Sequence, residues 1–560
     1  MSSTLSNLFS NLPVIDVRVG KPSLPNLIGE ELIKTYGVYG EGVAGEGVHD
    51  YPLDRQHIII PDGSGGLIDL GKGNKPLDLS MRDAFATLQP QVTRSMPPQE
   101  PAFIPAAGLT GAHYTYVSAM KWALDTFNRL NAPYYEEAKV SPLVGGMVMN
   151  ETTFSYFVRH LRNTNLEYIQ VEQHQDENWA MHPAGLANAM AKAHDDNIFP
   201  LGLTSISPDA PIHNIRDRPT TLGLYKALEQ FNEERRMWLI QQSGGDTRFE
   251  ALKASSPEFA DAVAILVRPK IFDDPVYLST EMGPEHTCLF AQLHDEVPAI
   301  VDDLVTGISL SKIGMAGARA GAMFVFNEAL AKHVRETLDI SVEGLNYSAF
   351  MPLTLLHAQH PKNAAFRQSI IDYGEDLYRR SAYFSALHQT ALGKRIPLRT
   401  LSQLNRLFGT AKDPITGEAL TFGAIPGVQL LERNAAGYFS NIHFDMRVWG
   451  KVLDAYHLPH DPSGIHQLLS HELKILLTPI DLKDRDGKPM AVFRMNCHTS
   501  FDNLTGIYAR LRHMAQRHDI KPASIRHFSM LQSKPTGMLP LRPAPSIAAD
   551  MTRQFADDVA

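Results

Sequence analysis

The chain has 560 residues, enough for one large α/β domain or for several average ones, and its 44% hydrophobic and 20% charged residues exclude an intrinsically disordered protein. A net charge of −9 excludes a general polyanion-binding surface, which needs clustered Lys and Arg to neutralise phosphates. The two cysteines, Cys288 and Cys497, exclude a disulfide framework or a multi-cysteine zinc site and point to a reducing, cytoplasmic compartment. Neither an export signal nor an apolar run long enough to span a membrane is expected.

Residues 1–95 are rich in Gly and Pro and read as a loop-rich N-terminal arm. The GSGG within IIIPDGSGGLIDLG lacks the GK[ST] ending of a phosphate loop and reads as a turn. From about residue 96 apolar strand-like runs alternate with amphipathic helical stretches. The clearest unit is LEYIQVEQ at 166–173, a helix over 182–197 and a strand over 198–207, for which a right-handed parallel crossover is expected. VTGISLSKIG at 305–314 reads as a strand, AMFVFNEALAKHVRETL at 322–338 as a helix and DISVEGLNY at 339–347 as another strand. Residues 351–435 carry helical patterns and read as an insertion. MAVFRMNC at 490–497 reads as a late strand before a helix over 503–518, and residues 541–560 as a tail. Repeated βα units predict a parallel sheet covered by helices, either closed or open.

Three ordered segments carry a family resemblance. MPPQEPAFIPAAGLTGAHYTYVSAMKWAL from Met96, NLEYIQVEQ at 165–173 and GKPMAVFRMNCHTSFDNLTGIYARL from Gly487 resemble the strands and helices of adenosine-deaminase-like proteins of the bacterial growth-factor type. The resemblance implies a (β/α) TIM-like barrel, with its first part at 96–350, the helical insertion at 351–435 and its end at 436–540. It also implies zinc, held by histidines and an aspartate, with a glutamate moving protons. The ligand histidines of that pattern fall on Ala106 and Gly108, the later ligand on Glu343, the proton-carrying glutamate on Asn346, and the aspartate pair on Met495 and Asn496. These losses imply a catalytically degenerate barrel that binds a purine nucleoside or nucleotide, or a scaffold in a homo-oligomer built by exchange of its arm and tail.

The alternative is an active metal-dependent hydrolase with rearranged ligands drawn from His113, Glu343, His443 and His498, with Glu343 and His443 as catalytic groups and zinc as the cofactor. A second alternative is a non-haem iron oxygenase, since His443, Asp445 and His498 with Arg510 mimic a facial triad and an oxo-acid anchor. Glu167, Glu172, His174 and His182 have a spacing also found in di-iron proteins, but LEYIQV favours a strand. The triplet Asp273, Asp274, Pro275 resembles the deaminase aspartate motif, but falls too early in the chain and reads as a turn.

Overall fold

The computed structural model describes residues 12–17, 59–61, 67–69, 79–89, 92, 96–174, 179–208, 214–281, 286–313, 319–342, 352–388, 412–420, 423–431 and 439–520. Its main sheet has seven strands: β1 (Ala102–Ala107), β2 (Val144–Asn150), β3 (Glu167–Val171), β4 (Ile198–Ile206), β5 (Lys270–Asp274), β6 (Leu304–Ser309) and β7 (Ala320–Val325). Their order is β1-β7-β6-β5-β4-β2-β3. β7 runs antiparallel to both neighbours, and every other adjacent pair is parallel. β1 and β3 do not pair with each other, so the sheet is open. The expected TIM-like barrel is therefore corrected to an open, mostly parallel sheet. Periodicity alone reports buried strands and covering helices, which both architectures share.

Helices cover both faces. One core gathers Leu186 and Met190 of α3 (Pro183–Asp195) and Leu224 and Leu228 of α4 (Arg218–Glu229) against Ile271, Leu304 and Ile308. The other gathers Tyr116, Met120 and Phe127 of α1 (Gly108–Ala138) with Phe259 and Leu266 of α5 (Pro257–Leu266) against Phe272 and Val305. Strand side chains alternate between faces, so Ile271 and Phe272 enter different cores; a sheet buried on both faces reads as continuous apolar sequence. The remaining helix on the β2–β3 side is α2 (Ser155–Asn163).

The expected strand–helix–strand unit at 166–207 is present as β3, α3 and β4, but β3 and β4 flank β2 and do not pair with each other. Two other expectations fail around residue 322. AMFV belongs to β7, and the helix begins only at α6 (Glu328–Val342), whose last turns take up residues 339–342, where a strand was expected. A short apolar run fits both periods, and here the ladder between β1 and β6 decides it.

A second, antiparallel sheet of β8 (Val428–Leu430), β9 (Phe439–Phe444), β10 (Thr478–Ile480) and β11 (Ala491–Asn496) has the order β8-β9-β11-β10. It forms a separate core with Trp449 and Leu453 of α8 (Met446–Ala455) and Leu504 and Leu511 of α9 (Phe501–Arg517). The run MAVFRMNC thus lies in this smaller sheet and is not a barrel strand.

β7 can lie beside β1 only because two glycines meet there. A Cβ on Gly321 would sit 2.6 Å from the Gly108 Cα and 3.1 Å from the Ile308 carbonyl oxygen. We expect Gly321→Ala to lower stability by about 1–3 kcal/mol through this overpacking. Urea unfolding would read it as a lower midpoint at unchanged slope; a wild-type midpoint would contradict the packing.

Candidate active site

Parallel strands end on one edge, and in open α/β sheets ligands bind outside that carboxyl edge, where successive connections diverge to opposite sides. Here the chain steps from β2 outward to β3, then to β4, β5 and β6 on the other side. The residues leaving that edge are Ser207 after β4, Asp274 at the end of β5 followed by Tyr277, Ser309 at the end of β6 followed by Ser311 and Lys312, and Gly108 after β1. Because β7 is antiparallel, its first residue, and Arg319 just before it, lie on the same edge.

Arg319 lies against the start of α1. Gly108 has φ +70°, a left-handed conformation that a side chain strains, and a Cβ there would lie 3.1 Å from Arg319 Nη2. Arg319 Nη2 also donates to the Ala107 carbonyl at 3.3 Å. The helix that begins here has no side-chain cap, so its first amides keep their donor capacity beside the guanidinium. Ser309 pairs in register with Gly321, which abuts Gly108, and its hydroxyl lies 3.0 Å from that of Ser311. An exposed arginine and an uncapped helix start thus lie together on this edge, with two hydroxyls at the end of the neighbouring strand, donor groups of the kind that suit an anion.

Lys312 lies on the same edge. Its Nζ stands 5.1 Å from the centre of the Tyr277 ring and 6.0 Å from that of Phe439, at the start of β9. The two rings are 5.6 Å apart and edge-on. Arg494 of β11 also lies over Phe439, its Cζ 4.4 Å from the ring centre. Arg494 Nε is buried and has no hydrogen-bond partner. The smaller sheet thus brings a cation toward the lysine at the edge of the larger one.

Asp274 is 4% exposed, and one of its carboxylate oxygens accepts from the Val276 amide at 3.0 Å. Burial pushes its pKa up to about 7 against the opposing pull of the Val276 amide; the neighbouring Asp273 adds to the rise and Lys312 opposes it. The carboxyl of Glu281, also buried, is likewise pushed up to about 7, while Thr287 holds it through both its amide and its hydroxyl. Phe154, just past β2 on the same edge, exposes 45% of its surface, an unusual position for a large aromatic side chain.

The metal-binding expectations fall elsewhere. His113 is buried in α1, where its Nδ1 lies 2.9 Å from that of His160 and its Nε2 lies 3.0 Å from the Thr204 hydroxyl. Burial holds it well below the ordinary imidazole range. His443 lies on β9 and His498 follows β11; burial lowers both to about 4. Asp445 caps α8 and pairs with Arg447, and Arg510 donates to the Leu473, Lys474 and Pro13 carbonyls, so neither serves the expected iron triad. Glu343 and Asn346 lie outside the described residues. Among the described residues no group of three or more His, Cys, Asp or Glu could hold a metal ion. Glu172 and His174 form an exposed pair, and His182 caps α3.

No family model and no curated protein matches the chain. Solved structures do. The aspartate aminotransferase of Rhizobium meliloti is 12% identical, with a TM-score of 0.52 over 90% of this chain and 92% of that one. YbdL of Escherichia coli, with a methionine aminotransferase function, is 13% identical, with a TM-score of 0.51 over 91% and 97%. The aromatic aminotransferase of Pyrococcus horikoshii OT3 is 11% identical, with a TM-score of 0.50 over 91% and 97%.

The chain has the aminotransferase fold. That finding overturns the resemblance to adenosine deaminases, and with it the degenerate purine-binding barrel, the rearranged hydrolase, the iron oxygenase and the zinc expectation. Ala106, where a lost metal ligand was expected, is a buried core residue of β1, and Gly108 is the first residue of α1, beside Arg319. Met495 is a core residue of β11, and the side chain of Asn496 accepts from the His498 amide. Among the described residues no helix is long and apolar enough to cross a membrane.

Asp274, Tyr277, Lys312 and Arg319 were passed over in the sequence, the first because two aspartates before a proline imitate a turn. A lysine directly after an apolar strand, followed by GMAGARAG, was the signal that could have found the site. The raised pKa of Asp274 gives a test. A carboxyl whose folded pKa exceeds its unfolded value contributes stability below about 4, and loses it as pH rises through about 7. Asp274→Asn should therefore gain on the wild type as pH rises from 5 to 8, reaching at least about 1 kcal/mol in cofactor-free protein. A difference constant across that range in urea unfolding would contradict the burial of this charge.

Proposed function

We propose that the chain is a pyridoxal-phosphate-dependent aminotransferase. The observation that carries this is the convergence, on one sheet edge, of a lysine, a buried aspartate and donor groups suited to an anion. The protein parts such a cofactor needs are a lysine for its aldehyde and an acid for its pyridinium nitrogen, together with an anion site for its phosphate. Lys312 would hold the aldehyde, Asp274 the ring nitrogen, and Arg319 with the α1 amides, Ser309 and Ser311 the phosphate. When bound, this cofactor condenses with the amine of a substrate and draws electrons away from the adjacent carbon.

The remaining roles belong to side chains of this chain. Asp274, as a carboxylate, would keep the ring nitrogen positively charged. The amine of Lys312, when not occupied in holding the aldehyde, would be the base that moves the proton at the α-carbon of the substrate. Arg494, with an unspent buried Nε, suits the α-carboxylate of an amino acid, and Phe439 and Tyr277 supply apolar walls that exclude water. A homo-oligomer in the cytoplasm is part of the same reading; the two buried cysteines, which form no disulfide, are consistent with a reducing compartment.

Lys312→Ala should abolish amino-group transfer between an amino acid and a 2-oxo acid, while leaving weak cofactor binding. Arg494→Met should raise KM for the amino acid by tenfold or more, about 1.4 kcal/mol or more of lost carboxylate contact. Steady-state kinetics with a panel of amino acids and 2-oxo acids would measure both. Full activity in Lys312→Ala would sink the proposal.

A further inference from the structure

Two aspartates end β5, and strand alternation sends them to opposite faces. Asp274 belongs with Phe272 on the face of α1, where the cofactor reading places it; Asp273 belongs with Ile271 on the other face. There Asp273 is fully buried, with two hydrogen-bond donors and one cation around it. Arg216 Nη2 lies 3.8 Å away, the Ser207 hydroxyl donates at 2.7 Å and the Phe290 amide at 3.1 Å. The guanidinium of Arg216, itself 2% exposed, also donates to the hydroxyls of Ser205 and Ser207 at the end of β4, and lies over the Phe290 ring at 5.2 Å. One buried cation therefore ties together the ends of β4 and β5 behind the pocket.

We infer that Arg216 is a positioning residue for the cofactor site: paired with Asp273 behind β5, it leaves Asp274 as the net negative charge that faces the pocket. The inference rests on the reading of Lys312 and Asp274 as cofactor residues, and goes beyond it by assigning a role to a side chain that touches neither substrate nor cofactor.

The physical reason is charge balance in a buried place. Two neighbouring carboxyls without a counter-ion hold one proton between them and titrate as a pair. Part of the time that proton would sit on Asp274, which then could not pair with a ring nitrogen. Burial pushes the Asp273 carboxyl up, while Arg216, the Ser207 hydroxyl and the Phe290 amide pull it back toward the anion; removing Arg216 takes away the charge in that pull and leaves the two carboxyls to compete for a proton. The other titratable groups around the pair are Lys312 from the end of β6, and Glu281, His286 and Cys288 from the segment after β5. Of these only Lys312 opposes protonation of Asp274, and it does so from the pocket side.

The test uses the full chain, freed of cofactor and titrated with pyridoxal phosphate, with cofactor absorbance followed against pH. Arg216→Met should weaken binding about tenfold or more, and shift the pH dependence of the absorbance by about one unit. The double variant Asp273→Asn with Arg216→Met removes both charges, leaves Asp274 alone, and should return binding to within about threefold of wild type. Should Arg216→Met fail to fold, the double variant carries the test. The inference is overturned if Arg216→Met matches wild type in affinity and pH profile, or if the folded double variant binds as weakly as Arg216→Met or, where that variant does not fold, about tenfold or more below wild type. Wild-type protein that binds no pyridoxal phosphate at all would instead overturn the cofactor reading, and this inference with it.

Discussion

The contact of β7 with the start of α1 is the constraint on which the rest of the site depends. Gly321 against Gly108 lets an antiparallel strand enter a parallel sheet beside β1, and this reversal delivers Arg319 to the carboxyl edge. Without it the uncapped amides of α1 would face solvent with no cation beside them. A helix start alone is a weak anion site; with a guanidinium beside it and two hydroxyls at the next strand end, it would favour one charged group in one orientation. Lys312, placed by the turn after β6, then stands where the remainder of a phosphate-anchored ligand would lie.

Burial supplies the second requirement. β5 is buried along its whole length, so its two terminal carboxyls are costly there unless something answers their charge. Asp273 is answered within the protein, by Arg216, Ser207 and Phe290. Among the described residues Asp274 has only the Val276 amide and the more distant Lys312. That asymmetry is what the cofactor reading of Asp274 rests on.

Much of the fold was legible in the sequence as local pattern. The period-2 runs at 167–171, 198–206 and 491–496 and the helices at 183–195 and 501–517 stand where alternation and apolar periodicity put them. What failed was assembly. An apolar strand buried on both faces carries no information about its neighbours, so β11 was assigned to the same sheet as β3, although it sits in a separate antiparallel one. AMFV failed for a related reason, since four apolar residues before a helical pattern merge with it. The site was less legible still, because the family resemblance directed attention to histidines. His113 and His443 are buried and carry depressed pKa values, whereas the residues that meet at the sheet edge are a lysine, an arginine, an aspartate and a glycine.

The central claim is that Lys312 holds an aldehyde cofactor at the carboxyl edge of the sheet. Borohydride reduction of protein incubated with pyridoxal phosphate, followed by protease digestion and mass spectrometry, tests it most directly, because reduction fixes the cofactor to whichever amine carries it. The account predicts a single phosphopyridoxyl-modified peptide containing Lys312, at one equivalent per chain. Labelling spread over surface lysines, with Lys312 unmodified, would contradict it.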